Sequence, residues 1–494
     1  MSYPTGLGTV RPLSPVIPSA LIGILAVMQL LLGTSPAIVA LCVAAVALPF
    51  LQLVLLGRDL YGVLNLVFNL KYIGFALVAK TLYGQTLDSH LYDPHAAFGL
   101  ILLVMLSVTA MLIVARALDK DSSFFSFPMD LVSLRRLSVA CICIGMLGNL
   151  GYAGSGANNT ADAVEGGALI VLSSEFRQYY YFGLITESVY AILKSNGRSF
   201  ITSRLLFLFI IELIISIAFN NRELVVSCVI SVVVVGFLYD TIRIRHIVVG
   251  VAITYFFITV LTPITFYLRI YRSGSSFSEF AELAGSTLMK AATDPEYLKL
   301  ITNTGANAFN QGDLPYDYYG LRSEALDRQS FISLLDAVYN GTRMRQPIGM
   351  AAVEQSLTRA APGFLGYNKD VTNSYGPGDW LSWQTGLEEP DAVSFTVFGL
   401  PMEGLATFGL TGLSLYPFIF MLPVLYCCGR LSSLRRPWPA SIFLFAGTQH
   451  MMLESTSDVF LEWLTHNLFM TFVGFYVLHV LLRPRTPLPH ARAV

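Results

Sequence analysis

Cationic side chains occur in two places where they could bind a phosphate-bearing ligand. Arg222 lies in the turn Asn220–Glu223 between two strongly apolar segments, and further cations follow in the polar stretch 269–394. A guanidinium group binds phosphate oxygens through paired hydrogen bonds, so these residues predict recognition of a polyanion. Lipid-headgroup contact or pairing with Glu223 is an open alternative for Arg222, and solvated helix faces are one for the others. Those others are Arg322, Arg328, Arg343, Arg345, Arg359 and Lys369.

Carboxylates and histidines lie at the predicted outer ends of the C-terminal helices, where such side chains could exchange protons. Glu403 stands at the outer end of the predicted tenth membrane helix. A structural Glu403 that only pairs with a loop arginine is an open alternative. No Asp-x-Asp pair or clustered His/Asp signature predicts a catalytic metal, and no cofactor is expected. The others are Glu454, Asp458, His450 and His466.

Aromatic residues are dense in the same polar stretch. Tyr319 and Trp380 are the ones that we predict to bind sugar, because aromatic rings beside polar groups stack on sugar rings. An aromatic belt at the membrane interface is an equal alternative. The full set is Tyr316, Tyr318, Tyr319, Tyr367, Tyr375, Trp380 and Trp383.

The composition indicates which elements must position these side chains. Of the 494 residues, 54% are hydrophobic and only 13% are charged, whereas soluble domains carry about 25% charge. The mean hydropathy of +0.61 therefore predicts an all-α polytopic membrane protein. A net charge of -1 argues against a nucleic-acid partner. The six cysteines all lie in apolar segments and predict neither a disulfide framework nor a zinc site.

Twelve apolar segments are candidates to span a bilayer, which takes about 20 residues. Their connections and the termini carry seventeen Lys and Arg residues on one side, and on the other only Lys80, Arg177 and Arg222 in the short connections. The positive-inside rule then places both termini in the cytoplasm and the stretch 269–394 outside. The predicted spans lie near 16–32, 37–56, 60–82, 96–115, 137–153, 179–193, 205–219, 224–239, 247–268, 406–427, 439–456 and 463–482.

Three parts follow from this layout: an N-terminal bundle of about nine helices (1–268), a large, mainly helical loop (269–394) and a C-terminal bundle of about three helices (395–494). Periodicity predicts amphipathic helices within the loop, the last of which Pro362 ends. They lie near Ser278–Lys290, Leu326–Val338 and Ile348–Ala360, with a connector at Gly363–Asp379.

Two charges fall inside predicted spans. Lys71 lies in the third span and Glu212 in the seventh, and at ~1.5 Å rise per residue the two reach similar depths. Because charges at that depth are costly and usually paired, we predict a Lys71–Glu212 contact. A structural role is favoured for this pair, with proton coupling as the alternative.

The order of Arg328, Pro362 and Lys369 resembles a pattern in Wzy-type O-antigen polymerases, which are bacterial oligosaccharide repeat-unit polymerases. In that family an arginine-headed helix leads to an element with proline and lysine. Residues 394–409 also resemble the family's small-residue stretch, which precedes a glutamate and an aromatic-glycine pair. The residues directly after Pro362 and Lys369 differ from the family's usual arginine and proline.

The resemblance implies a GT-C-like, lipid-dependent glycosyltransferase of the bacterial inner membrane. It would move a growing saccharide from undecaprenyl diphosphate to a lipid-linked repeat unit on the periplasmic side, with a chain-length regulator as a possible partner. Arg222, which matches an outer arginine of the family, would neutralise the diphosphate together with Arg328 and Lys369. Glu403 would be the base that accepts the proton of the attacking sugar hydroxyl. Its competitors for this role are Glu454, Asp458, His450 and His466.

Other functions stay open. A transporter or flippase of lipid-linked oligosaccharide would suit twelve helices with both termini inside, but the single oversized loop and the absence of visible repeats count against it. An O-antigen ligase would share the lipid donor and differ in its acceptor. A membrane scaffold or receptor would need an external recognition module, which the cysteine-free loop does not resemble.

Overall fold

The computed structural model describes residues 14–120, 123–154, 168–218, 222–243, 245–246, 248–250, 264–265, 267–268, 271, 277–301, 317–320, 329–345, 347–361, 377–389 and 398–482. Regular secondary structure within these ranges is entirely helical, which confirms the predicted all-α class.

The helices fall into three groups along the chain. The N-terminal group is α1 (Val16–Leu32), α2 (Pro36–Leu56), α3 (Leu60–Leu82), α4 (Pro94–Leu118), α5 (Leu131–Gly154), α6 (Ala168–Lys194), α7 (Ser203–Ala218) and α8 (Arg222–Leu238). The polar stretch contributes α9 (Phe277–Thr293), α10 (Ile332–Met344), α11 (Met350–Ala360) and α12 (Pro377–Thr385). The C-terminal group is α13 (Leu400–Leu431), α14 (Pro439–Glu454) and α15 (Ser457–Leu482).

Six helices among the described residues are long and apolar enough to cross a membrane: α2, α3, α4, most of α5, α13 and α15. The chain is therefore a membrane protein with at least this apolar framework. We predicted twelve spans, which is more than these six. Two of the other predicted spans correspond to α7 and α14, which have only 16 residues each, whereas a spanning helix needs about 20. Most of the ninth predicted span, 247–268, lies outside the described residues.

The helices connect at two opposite faces of the bundle. At the first, which we call the basic face, the connections 57–59, 119–120 and 432–438 meet, and the Leu60 N–H donates to the Leu434 carbonyl. At the second, the loop face, the connection 83–93 meets the polar stretch. There the carboxylate of Asp336 on α10 accepts the N–H groups of Tyr92 and Asp93 at the start of α4.

The helix α13 is broken close to its start. Phe408 and Gly409 leave helical geometry, and Gly409 has a φ of 65°, which favours glycine. The chain doubles back there, since a Cβ atom on Gly412 would lie 2.0 Å from the Gly404 carbonyl oxygen. α13 is thus a short helix, residues 400–407, packed against a longer one, and the predicted tenth span, 406–427, begins at this break rather than at the start of α13.

The helices of the polar stretch match their predictions unevenly. The prediction near Ser278–Lys290 corresponds to α9, and that near Ile348–Ala360 to α11. The predicted helix Leu326–Val338 is wrong in position, because α10 begins at Ile332 and is buried against α4 and α13. Part of the predicted connector Gly363–Asp379 is also wrong, since α12 begins inside it.

Candidate functional site

The helix α11 is fixed to the start of α15 by two polar contacts. The hydroxyl oxygens of Ser356 and Ser457 lie 2.8 Å apart, and both side chains are buried. One turn further along α11, the Arg359 Nε lies 3.3 Å from the Asp458 Oδ2. A helix of the polar stretch and the last membrane helix therefore form one continuous polar contact, which we call the seam.

Glu403 is the third member of the seam. It lies in the first turn of α13, is fully buried, and accepts hydrogen bonds from the Ser457 backbone N–H at 2.7 Å and the Ser457 hydroxyl at 2.6 Å. Its carboxylate thus occupies the N-terminus of α15, where unpaired N–H groups favour an anion. The predicted alternative, a Glu403 paired with a loop arginine, does not match these contacts.

The seam is braced on its other side by backbone hydrogen bonds. The N–H groups of Ile348 and Gly349, just before α11, donate to the carbonyls of Ala406 and Thr407 at 3.1 and 3.0 Å. These carbonyls lie in the last turn of the short first helix of α13, where the carbonyls of a helix take partners from outside it. The segment before α11 therefore caps the helix that carries Glu403.

An ion pair between α3 and the end of α14 lies beside the seam. The Lys71 Nζ lies 2.7 Å from the Glu454 Oε1, and the side chains are 13% and 22% exposed. Lys71 belongs to a π-helical turn of α3, Leu70–Gly74. Its carbonyl accepts the Phe331 N–H, and its ammonium group lies 4.7 Å from the centre of the Phe331 ring. Lys71 thus contacts both Glu454 and Phe331, the residue directly before α10.

The predicted Lys71–Glu212 contact is wrong. Glu212 lies on α7 and is buried, with Arg177 of α6 as a charge that acts on it. The depths of the two residues were inferred from their positions along their helices, but equal depth does not make neighbours. α3 packs against α14, and this brings Lys71 to Glu454 instead.

One histidine accompanies the ion pair. The His450 Nδ1 lies 3.8 Å from the Glu454 Oε2, one turn back along α14, and the side chain is 46% exposed. This separation is too long for a hydrogen bond. Of the other predicted competitors, Asp458 pairs with Arg359 and accepts a hydrogen bond from the Thr456 hydroxyl at 2.6 Å. The His466 Nδ1 lies 2.8 Å from the Thr465 hydroxyl on α15.

Apart from Tyr319, the predicted phosphate- and sugar-binding residues fall into three groups. Arg359 is in the seam. Arg343 and Arg345 are exposed at the end of α10, where Arg345 donates to the Trp383 carbonyl at 2.6 Å. The third group lies outside the residues or side chains that the structure describes and comprises Arg222, Arg322, Arg328, Lys369 and Trp380.

Tyr319 has a buried position at the loop face. It packs edge-on against Phe75 and Tyr83, and the Gln85 side chain donates to its carbonyl at 2.8 Å. The neighbouring Tyr318 ring lies 4.1 Å from the Nζ of the buried Lys80. This pair of tyrosines therefore fastens the polar stretch to α3.

Ser356 and Ser457 are the functional candidates that the sequence prediction missed. One signal was available: Thr456-Ser457-Asp458 precedes an apolar run, and such residues are typical of a helix N-terminus. Nothing in the spacing indicated that a glutamate from 54 residues earlier would accept both hydrogen bonds from Ser457.

The side chains beside α14 and α15 are suited to acid–base chemistry next to a negatively charged substrate. They combine two cations, three carboxylates and one histidine at the membrane end of the polar stretch. Within the described residues, no group of three or more His, Cys, Asp and Glu is arranged to hold a metal ion. The members of this polar cluster are Lys71, Arg359, Glu403, His450, Glu454 and Asp458.

The fold and the cluster define an all-α membrane protein whose polar stretch is built into the ends of its membrane helices. No protein-family model matches the chain. No curated protein and no solved structure matches it either.

Proposed function

We propose that the chain is a lipid-dependent glycosyltransferase that polymerises a glycan at the periplasmic face of a bacterial inner membrane. In this proposal, a growing saccharide moves from undecaprenyl diphosphate to a lipid-linked repeat unit. The seam supports it most directly, because it joins a polar platform to the ends of α13 and α15. Both lipid tails must stay in the bilayer while both saccharides stay in water, so the reaction belongs at such a junction.

The proposal includes twelve spans in a GT-C-like arrangement, cytoplasmic termini and an external loop face. Two observations support this orientation. Consecutive N-terminal helices run alternately between the two faces, and the connections at the basic face contain Arg58, Lys120, Arg435 and Arg436. Positive residues of this kind mark the cytoplasmic side of membrane proteins.

Each substrate group has a proposed partner. Arg222 and Arg328, with Lys369 in support, neutralise the departing diphosphate, since fixed cations stabilise charge that develops in a transition state. Trp380 and the exposed arginines at the end of α10 bind the saccharide. A carboxylate of the polar cluster removes the proton of the attacking hydroxyl group.

A second candidate function has one observation in its favour. The Lys71–Glu454 pair lies within helices that run through the bundle, and intramembrane ion pairs often belong to transport pathways. A flippase of lipid-linked oligosaccharide would use such a pair for coupling. A ligase would use the proposed chemistry with a different acceptor.

The test begins in the host cell. Deletion of the gene is expected to collapse the surface-polysaccharide ladder to a single repeat unit, and the wild-type gene is expected to restore it. Arg222→Ala and Arg328→Ala are expected to be produced normally and to leave the ladder collapsed. Lys299→Ala is the matched control, because Lys299 is an exposed cation of the same stretch that pairs only locally with Glu296.

Purified protein separates the candidate functions. Wild-type protein in detergent, given the lipid-linked saccharide extracted from the deletion strain, is expected to elongate it. If the protein makes no longer product but moves that lipid across liposomes, the flippase replaces the polymerase. If the saccharide appears on a different lipid acceptor without elongation, the ligase does.

A further inference from the structure

A buried carboxylate on α6 holds cations from two neighbouring helices. Glu187 is 1% exposed. Its Oε1 accepts a hydrogen bond from the Arg135 guanidinium of α5 at 3.1 Å. Its Oε2 lies 3.5 Å from a guanidinium nitrogen of Arg204 on α7 and accepts the Ser138 hydroxyl at 3.2 Å. Two arginines from different helices therefore have fixed positions beside one carboxylate.

The helix ends around Glu187 belong to the basic face. The connection before α5 lies at this face, because the Phe124 N–H donates to the Arg430 carbonyl at the end of α13. The segment after α8 lies there too, since the Tyr239 hydroxyl donates to the Pro437 carbonyl at 2.7 Å. With α5 beginning and α8 ending at this face, α6 ends and α7 begins there as well.

The two arginines remain accessible from outside the bundle. The Arg135 side chain is 45% exposed and that of Arg204 is 28% exposed. Lys194, the last residue of α6, is also exposed. The Arg135 Cζ and the Lys194 Nζ lie 5.4 and 5.8 Å from the centre of the same Tyr190 ring. Three cations thus lie close together, and we call Arg135, Lys194, Arg204 and Glu187 the basic site.

Positive charge exceeds negative charge around the basic site. The segments 130–140 and 187–204 contain five cations and two carboxylates, which are Asp130 and Glu187. The two cations outside the site, Arg136 and Arg198, are exposed. The excess of three positive charges favours an anion at this place.

A stripe of exposed apolar side chains begins at each arginine. Helix residues three or four positions apart lie on the same face, and α5 is one of the helices able to cross a membrane. Exposed apolar residues on such helices face the acyl chains of lipids. The stripes consist of Val139, Cys143 and Leu147 after Arg135 on α5, and of Phe207, Ile210 and Ile214 after Arg204 on α7.

We propose that the basic site binds the headgroup phosphate of an anionic glycerophospholipid. Guanidinium groups bind phosphate oxygens through paired hydrogen bonds, and the acyl chains of the same lipid lie along the two stripes. The positive charge of the site selects an anionic lipid over a zwitterionic one, whose own cationic group Lys194 would repel. This site is independent of the proposed glycosyltransferase function.

Native mass spectrometry of the purified, full-length protein measures the lipid preference. The protein in detergent is mixed with equal amounts of phosphatidylglycerol and phosphatidylcholine that carry identical acyl chains. Because each fixed cation adds to the attraction for an anionic headgroup, we expect the wild-type protein to retain phosphatidylglycerol about tenfold better. For Arg135→Gln/Lys194→Gln, we expect the two lipids to be retained within about twofold of each other.

The matched control removes two cations of the basic face outside the basic site. Lys120 is exposed, and the Arg430 Cζ lies 5.2 Å from the centre of the Phe124 ring. Lys120→Gln/Arg430→Gln is expected to keep the wild-type preference. An equal loss of preference in this control, or no preference in the wild-type protein, would overturn the proposal.

Charge reversal covers the case in which Arg135→Gln disturbs Glu187 and the protein does not fold. Lys194→Glu leaves the contacts of Glu187 with Arg135 and Arg204 in place. It is expected to abolish the preference for phosphatidylglycerol, whereas Lys120→Glu is expected to retain it. A wild-type preference in Lys194→Glu would show that the phosphate does not bind at this site.

Inorganic phosphate distinguishes a lipid site from a site for a soluble anion. Phosphatidylglycerol is expected to raise the melting temperature of the wild-type protein by about 2 °C or more relative to phosphatidylcholine, because a ligand of the folded state stabilises it. Inorganic phosphate at the same concentration is expected to cause no such rise, since it does not contact the stripes. An equal rise with inorganic phosphate alone would identify a soluble-anion site and overturn the proposal.

Discussion

The two faces of the bundle use carboxylates in different ways. At the basic face, Asp119 Oδ2 accepts hydrogen bonds from the Tyr61 hydroxyl, the Ser433 hydroxyl and the Arg435 N–H. Asp59 caps the start of α3 and pairs with Arg116. These donors come from segments far apart in the chain, so the basic-face carboxylates tie the helix ends together.

At the loop face, some carboxylates of the polar cluster hold helices together and another is accessible. Glu403 and Asp458 bind donors as the basic-face carboxylates do, but Glu454 has one oxygen on Lys71 and remains partly exposed. The same chemical group therefore serves as a structural tie at one face and as a reactive candidate at the other. What distinguishes the two uses is how much of the carboxylate a substrate can reach.

The largest predicted effect comes from the hairpin that carries Glu403. Gly412→Ala would place a methyl group 2.0 Å from the Gly404 carbonyl oxygen, which the backbone cannot accommodate without moving. We expect a loss of at least about 3 kcal/mol in the free energy of unfolding, at the upper end for overpacking. Thermal unfolding in detergent measures it. The control is Gly99→Ala on α4, where nothing lies within 4 Å of the added carbon and no loss is expected.

A smaller effect tests whether the ion pairs at the two faces are equivalent. Lys71→Met leaves Glu454 without its ammonium partner, and we expect a loss of about 2 kcal/mol, less than for a fully buried pair. Lys71→Met/Glu454→Leu removes both charges of the pair and should recover part of it. At the basic face, Arg116→Met/Asp59→Leu should recover little relative to Arg116→Met, because Asp59 also accepts the Gly62 N–H.

Thermal unfolding of the four variants checks this contrast. Equal recovery in both double variants would show that the two faces use their ion pairs alike, and the distinction drawn between them would then be wrong.

The sequence predicted the apolar framework because hydropathy and helix length are local properties. It gave α2, α3 and α4 within a few residues, and it found α9 and α11 from amphipathic periodicity. It could not show that α10 is buried in the bundle. Polar residues in a helix are typical of a surface position, and burial depends on neighbouring helices that the sequence does not specify. The break at Phe408 and Gly409 was visible as a residue pair, but the doubling back of the chain was not.

For the candidate site, residue types were predictable and partners were not. Glu403, Glu454, Asp458 and His450 were selected as carboxylates and imidazoles near helix ends. Which of them is buried and which is exposed depends on the packing of α11 against α15 and of α3 against α14. That packing brings together residues that are far apart in the chain, so no local pattern encodes it.

The smallest predicted effect concerns pH at the basic face. Burial raises the pKa of Asp119 above its ordinary value of 3.8. Its contribution to stability is therefore complete below pH 3.8 and is lost as the pH rises through the raised pKa. The exposed Asp130 differs, because hydrogen bonds from the Ser133 hydroxyl and backbone N–H lower its pKa. Its contribution is present above pH 3.8 and is lost as the pH falls through the lowered pKa.

Thermal unfolding against pH separates the two aspartates. Relative to wild type, Asp119→Asn is expected to lose stability at acidic pH and to regain part of it towards neutral pH. Asp130→Asn is expected to show the opposite slope. Slopes of the same sign would contradict the assigned environments, because only burial raises the pKa of an aspartate whose nearest partners are all hydrogen-bond donors.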